Sequence, residues 1–448
     1  MTRHISDCPK LPQNRDPWRG LERLEYEITL VTSMFGGGVT PGEADPVTLI
    51  RPPAIRGQLR FWWRATCGSR FNELDDLRRR EIDVWGDTER PSRITVEVEL
   101  RDKGKIEPWA DRPPGKTYAQ PRPGYPAYAL FPFQNGERGV GNGVRDARFT
   151  LRFSFPSGLK ADLQASIWAW INFGGIGART RRGCGALWCP KLGLPDTCRR
   201  AVQNWLKESC AKQKSIVPTT KASWPKLGRY WIGPKSASPF EAWSEVIGLL
   251  HNFRQGVDTG RNCGTESDRP GRSRWPEAES IRLATGCRSR RHSPVRQIPS
   301  EAFPRAEFGM PIVFHFKDGP PKHFRGADRE LSATDPGHTE LHPVMHGEHK
   351  TRMASPLILK PLAVNQDLAF PLIVLLNVPR LSVVELVRGT EPIRTFPETS
   401  IHNPIFAAYP NSPLGAPGEG MPARSINGSA VEGFLALAAE KGYTEVEL

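Results

Sequence analysis

Three stretches of the first 190 residues alternate apolar and polar side chains, as a half-buried strand does. They are Leu24–Val31 (LEYEITLV), Ile94–Leu100 (ITVEVEL) and Arg148–Phe155 (RFTLRFSF). Between them the period changes. From Ile55 to about Gly68, Leu59, Trp62, Trp63 and Thr66 recur at helical spacing, and they predict a helix with both tryptophans turned into a core. Asp162–Phe173 repeats the helical pattern with Leu163, Ile167, Trp170 and Ile171 on one face, and Gly185–Cys189 (GALWC) is a short strand. The order is β-α-β-β-α-β, the split unit of ferredoxin-like and RRM folds.

The second half is less regular. Phe240–Phe253 is helical, Pro311–Phe316 and Phe370–Val378 are apolar strands, Val431–Lys441 is a last helix and Tyr443–Leu448 a closing strand. This pattern predicts a second, looser copy of the same fold. Gly256–Arg274 and Lys317–Lys350 are polar and loop-like, and fit insertions. The expected class is α+β, with two ferredoxin-like (RRM-like) domains, residues 1–195 and 196–448, carrying long loop and helical insertions. A length of 448 residues suits that division. The 42 glycines and 43 prolines predict many turns and irregular connections.

Charge sharpens the picture. The net charge is +14, but it is unevenly spread: residues 101–300 carry 34 Lys and Arg against 15 Asp and Glu, and the rest of the chain is slightly acidic. A basic segment rich in arginine points to a polyanionic partner, although a solvated basic surface has the same composition. None of the eight cysteines forms a C-x-x-C pair, and the N-terminus MTRHISDCPKLPQNRD lacks the apolar stretch of a signal peptide. Reduced thiols in a cytoplasmic protein are expected. The longest apolar run, Phe370–Val378, is too short for a membrane helix.

The segment Gly174–Gly185 (GGIGARTRRGCG) concentrates candidate chemistry between the second helix and its strand. Gly174, Gly175, Gly177 and Gly183 allow close backbone approach to a ligand, and successive N–H groups could cradle phosphate oxygens. Arg179, Arg181 and Arg182, expected to be exposed, add bidentate donors. The loop is neither a Walker nor a Rossmann motif: there is no G-x-x-x-x-G-K-[ST], and it leads from helix to strand rather than from strand to helix. Arg56, Arg60 and Arg64, every four residues on the first helix, either line an RNA groove or form a solvated face.

Glycine-rich loops entering the last strand of an RRM-like fold mark the RAMP superfamily of CRISPR proteins, which this chain resembles. Five stretches resemble in particular subunit one of the Cmr (type III-B) effector complexes. They are IRPPAIRGQLRFWWRA (50–65), GGIGARTRRGCGAL (174–187), GRSRWPEAESIR (271–282), FPRAEFGMPIVFHF (303–316) and RMASPLILKPL (352–362). The resemblance implies two RAMP folds, assembly with other Cmr-type subunits, contact with guide (crRNA) and/or target RNA near the guide 3′ end, a part in antiviral defence, and no catalysis. It also favours RNA or a neighbouring subunit as what Arg56, Arg60 and Arg64 face.

His338, His342, His346 and His349 have spacings that would share a helical face, but Pro343 and Gly347 interrupt the stretch, and no metal is assigned. Arg288, Arg290, Arg291 and Arg296, within the basic run Arg282–Arg296, either meet RNA or an acidic partner or form a basic loop. The alternative function is a metal-independent RAMP endoribonuclease processing guide RNA. Such an enzyme usually needs a histidine, and the first 250 residues contain only His4. Asp75, Asp76 and Asp83 sit in a helical Leu/Arg-rich stretch and are expected to be surface charges, and no G-G-D-D-type motif occurs. No cofactor is expected.

Overall fold

The structure is a computed structural model. It describes residues 20–38, 42–113, 119–134, 140–194, 198–212, 223–264, 270–289, 301–316, 319, 334–345, 347–407 and 411–446. The first unit runs β1 (Leu21–Leu30), α1 (Pro52–Ala65), α2 (Leu74–Trp85), β2 (Thr95–Asp102), β3 (Arg148–Pro156), α3 (Lys160–Phe173) and β4 (Leu187–Trp188). Its antiparallel sheet has the order β2-β3-β1-β4. That is the ferredoxin-like arrangement expected from the alternation. Tyr26, Ile28, Phe149, Leu151, Phe153 and Phe155 point inward, and Ile55, Leu59, Trp62 and Trp63 of α1 pack into the same core. The buried Trp63 indole donates to Asp162 Oδ2 at 3.0 Å, a polar partner that large buried indoles usually find.

The outer face of this sheet is a ladder of charges. Arg152 lies opposite Glu25 on one neighbouring strand and Glu97 on the other, and it pairs with Glu25 at 2.6 Å and Glu99 at 2.8 Å. Arg148 pairs with Asp102 at 2.9 Å. The outward positions of β3 are Arg148, Thr150, Arg152 and Ser154, none of them aromatic. An RRM reads bases with aromatic rings on this face.

After α4 (Arg199–Lys212), the second unit takes up β5 (Lys226–Ile232) and α5 (Pro239–Gln255). A first insertion carries α6 (Glu277–Thr285), β6 (Ile312–Phe314) and β7 (Thr339–Met345). The unit resumes with β8 (Leu357–Ala363) and β9 (Ala369–Asn377), and a second insertion holds β10 (Val383–Arg388) and β11 (Glu391–Pro397). It closes with α7 (Ala430–Glu440) and β12 (Thr444–Val446). The sheet order β8-β9-β5-β12 repeats the ferredoxin-like arrangement. The two insertions meet in a third sheet, β6-β7-β10-β11, so the expected strand at Pro311–Phe316 belongs to an insertion and not to the repeated unit. Two expected loops are also partly ordered into strands. Residues 339–349 form a hairpin of β7 with 348–349, and 261–263 pair with 270–273.

The second sheet is buried on both faces. Leu357, Leu359, Ile373 and Trp231 face α5 and α7, whereas Ile358, Leu362, Leu372, Val374 and Tyr230 share one core with the first unit. That explains the near-continuous apolar run of β9, because a strand covered on both sides has no polar side to show. Helix α3 is therefore enclosed between two sheets. Phe173 stacks on Tyr230 with centroids 5.2 Å apart, and Trp168 is buried as well. A helix apolar all round is one with no solvent face. The seven described cysteines are all free thiols. No described helix is long and apolar enough to cross a membrane.

One cation is buried in the shared core. Lys360 of β8 is fully enclosed and its Nζ donates to the carbonyl of Ile171 in the last turn of α3, 3.1 Å away. Burial pushes its ammonium down to about 7. An unfolded lysine titrates near 10.4. Between these values the unfolded chain holds a proton that the folded chain has lost, so this group makes stability rise with pH from about 7 to about 10.5. Lys360→Met is expected to melt higher than the parent at pH 7. It should also lose up to about 1.4 kcal/mol per pH unit of stability slope above that pH. Parallel stability-against-pH curves for the two proteins would contradict a buried, titrating lysine.

Candidate nucleic-acid interface

The loop from α3 to β4 is wedged between the two units, and its glycines are explained by that wedge. A Cβ on Gly174 would lie 2.5 Å from Trp62 Nε1, and one on Gly175 would lie 2.7 Å from the Gly185 carbonyl. Gly177, at φ +87°, crosses the Phe35 carbonyl at a distance a Cβ would reduce to 2.5 Å. Gly183, at φ +80°, runs against the Trp243 indole, which donates to the Arg182 carbonyl at 2.5 Å. Both need the left-handed backbone and the missing side chain together.

The expected cradle of free N–H groups is largely spent inside the protein. Ile176 N–H donates to Gly185, Ala178 to Phe35 and Gly185 to Ser33, at 3.0, 2.6 and 2.9 Å. Arg182 and Gly183 N–H close the short turn onto Arg179 and Thr180. Charge on a ligand must therefore be met chiefly by side chains. Arg179 is exposed and sits at φ +57°, a left-handed conformation that costs a non-glycine residue about 1–2 kcal/mol. Such outliers persist where the surroundings over-determine them, often at functional sites.

Arg181 and Arg182 are half-buried, not exposed as expected. Arg181 Nη1 donates to the Ser355 carbonyl, and its guanidinium lies 5.4 Å from the Phe61 ring centroid on α1. Arg182 Nη1 donates to the Leu357 carbonyl at 2.8 Å. Both reach the start of β8, within the 352–362 motif. A fourth guanidinium joins them from α5: Arg254, 5.4 Å from the Phe308 ring and 6.0 Å from Tyr128. Burial pushes the Arg182 guanidinium down to about 9, and repulsion from Arg179 and Arg254 adds to the shift. Arg181 and Arg254 are lowered too, chiefly by burial, with Glu277 opposing the shift at Arg254. Among the described residues, none of the four is ion-paired with a carboxylate. Cations that are partly desolvated, crowded and unpaired favour an anion between them.

The first-helix arginines are arranged differently. Arg60 Nη2 lies 2.8 Å from Glu81 Oε1 and Arg64 Nε lies 3.0 Å from Glu81 Oε2, and Glu81 is buried on α2. Two members of the stripe thus neutralise an internal carboxylate. Arg56 is half-buried and has no ion pair among the described residues. Trp62 and Trp63 lie in the core, as the periodicity predicts. The first helix still reaches the loop: a cavity of about 250 Å³ is lined by Gly57, Gln58 and Phe61 on one side and Thr180 and Arg181 on the other.

The remaining candidates disperse. His338 Nδ1 is 3.2 Å from His315 Nδ1, Glu340 holds His338 and His342, and His349 pairs with Glu385, while His346 lies outside the described residues. On the strand His338, Glu340 and His342 share one face and the carboxylate lies between the two rings, and no group of three potential metal ligands occurs among the described residues. Asp76 and Asp83 pair with arginines three residues away on α2, the surface role expected of them. Arg282 makes a buried bidentate pair with Asp335 at 2.9 and 2.8 Å, and Arg288 pairs with Glu279. Those two arginines serve the fold and not a basic loop. Arg290, Arg291, Arg296 and His4 lie outside the described residues.

The profile of the RAMP superfamily matches residues 27–188, the span from β1 to β4. CRISPR system Cmr subunit Cmr1-2 of Pyrococcus furiosus is 30% identical over 182 residues, 36% of this chain and 92% of that protein. Subunit Cmr1-1 of the same organism is 30% identical over 167 residues, 36% of this chain and slightly under half (46%) of that protein. A crystal structure of Cmr1 from Pyrococcus furiosus in its apo form superposes with a TM-score of 0.45 at 16% identity, covering 80% of this chain and 89% of that one. The chain belongs to the RAMP superfamily, among the relatives of the Cmr1 subunits.

Proposed function

We propose that the chain is a non-catalytic, RNA-binding subunit of a type III-B (Cmr) CRISPR effector complex, contacting guide and/or target RNA near the guide 3′ end. The complex is named by its relatives, which are Cmr subunits. The RNA contact rests on one observation: the guanidiniums of Arg179, Arg181, Arg182 and Arg254 gather at the loop and none is ion-paired with a carboxylate among the described residues, Glu277 acting on Arg254 only at longer range. Phosphate oxygens supply the missing negative charge, and arginine suits them because its planar fork is bidentate. Arg56, next in sequence to the Gly57 and Gln58 that line the smaller cavity, extends the same path. The glycines Gly174, Gly175, Gly177 and Gly183 set the loop's shape rather than bind by themselves.

The sheets favour this reading because neither offers an RRM-type surface. The outer face of the first is covered by ion pairs, and the second is buried on both sides. The proposal includes two units, residues 1–195 and 196–448, other Cmr-type subunits as neighbours, and a cytoplasmic setting.

The salt dependence of RNA affinity tests the phosphate contact. For a single strand, log affinity should fall against log salt by about 0.7 per phosphate contact, with little dependence on base sequence. Arg179→Ala, at an exposed position, should lower affinity and flatten that slope while leaving the melting temperature unchanged. Arg64→Ala should do the reverse, because it leaves the buried Glu81 short of counter-charge and so costs stability. Equal RNA affinity for the parent and a variant lacking Arg179, Arg181 and Arg182 would remove the loop from the RNA site.

Catalysis has its own test. The purified chain should leave guide precursor and target RNA intact, with or without divalent metal. Discrete products that disappear on replacing His338 or His342 would overturn the non-catalytic assignment.

A further inference from the structure

Arg181 stands between two cavities. The smaller is shared with α1. The other, about 920 Å³, is lined by Arg181, by β5, the end of β9 and β12 of the second unit, and by Ala354 and Pro356 of the segment before β8. Its volume lies near the upper end of the range for small-molecule sites, room for more than one nucleobase. The walls are largely apolar, with Trp224, Leu227, Met345, Met353, Val378 and Leu381 among them.

The charges around this cavity divide into two kinds. Arg229 is taken up by Glu445 at 2.7 Å and Glu432 at 3.2 Å, and Arg380 by Glu398. The N-terminus of α7 also opens here, but its N–H groups are already capped by Glu307, which accepts from Val431 N–H at 3.2 Å and from Ser429 Oγ at 3.0 Å. Neither feature is available to an anion. Arg181 and the exposed Arg352 have no carboxylate partner among the described residues. Lys226 also lines the cavity, with its ammonium 4.7 Å from the Trp224 ring centroid. The cavity therefore offers Arg181 and Arg352 without a carboxylate partner among the described residues, and a largely apolar interior, which matches the two halves of a nucleotide.

We propose that this cavity takes unstacked nucleobases of single-stranded RNA, the same strand whose phosphates lie on the guanidinium cluster. The inference rests on that proposed RNA contact and extends it. Arg181 belongs to the cluster and to the cavity wall, so a strand crossing the loop reaches the cavity without leaving a cationic surface. Rings enter an apolar site that is tolerant of base identity, as in other single-strand binders.

The test separates bases from phosphates. The full chain is titrated with two synthetic single-stranded RNAs of equal length, one ordinary and one carrying a run of abasic riboses. The ordinary RNA should bind about tenfold tighter, the scale of one stacked base. Ala354 is exposed and lines the cavity, so Ala354→Trp should fill it, bring the two affinities together and leave abasic RNA binding and the melting temperature unchanged. Met353→Trp provides a second filling variant. Equal affinity for the two RNAs, with a steep salt dependence retained, overturns the base site while the phosphate contact stands, and a cavity reserved for a neighbouring protein's segment gives this result. A base preference that survives both filled variants also overturns it. Loss of salt dependence and of the Arg179→Ala effect strikes the phosphate reading itself.

Discussion

Enclosure of α3 between two sheets is the constraint from which the rest of the architecture follows. Each β-α-β-β-α-β unit needs cover for its apolar faces, and here one helix contributes to both cores. The inner sheet thereby loses the open face on which an RRM reads bases, and keeps only the parts of β5, β9 and β12 that line the larger cavity. The chain leaving α3 has to turn inside a seam bounded by Trp62, Phe35, Trp243 and the start of β8. Only residues without a Cβ fit at several of those points, so the glycines are a packing requirement first. The arginines between them project from a turn fixed by both units, so their positions depend on the two-unit assembly rather than on the loop alone.

The same seam explains why Arg181 and Arg182 are anchored. A guanidinium bound to a backbone carbonyl is oriented but keeps its charge and its remaining donors. Fixing the side chain in advance removes part of the entropy lost on binding. The contacts to Ser355 and Leu357 thus serve the fold and, on the proposed reading, prepare the site as well. Lys360, three residues further along, ties the end of α3 to that strand, so the root and the far end of the loop are held by neighbouring parts of β8.

Much of the first unit was legible because its strands have one wet face. Glu25, Glu27, Arg148 and Arg152 mark the alternation, and the apolar partners fall between them. The first helix begins at Pro52, earlier than the apolar pattern suggests, because prolines fit a first turn and leave no period to detect. The strand Thr339–Met345 was hidden by its own composition: Pro343 pairs with Val384 inside a sheet, where proline argues against a strand. Glu81 left a readable mark, a carboxylate at an inward helical position between Leu77 and Val84, which implies a buried counter-charge. Arg254 left none. It reaches the loop only through tertiary packing, 72 residues from Arg182 in sequence, and no local pattern distinguishes it from any other helix-end arginine.

Net charge alone is a poor guide to where such a protein binds a polyanion. The middle of the chain holds the whole positive excess, yet much of it is internally matched. Arg122 pairs with Asp111, Arg152 with two glutamates, Arg229 with two more, and Arg272, Arg282 and Arg288 gather round Glu279. Each such pair removes a cation from the field that a ligand experiences at close range. The loop cluster differs because Arg179, Arg181 and Arg254 all press on Arg182, and none of the four is ion-paired among the described residues. Bringing a phosphate between them relieves repulsion as well as adding attraction, whereas the same phosphate at an ion-paired arginine must compete with a carboxylate already in place. On the proposed reading, recognition concentrates where the fold has left like charges together, and the short turn between α3 and β4 is such a place.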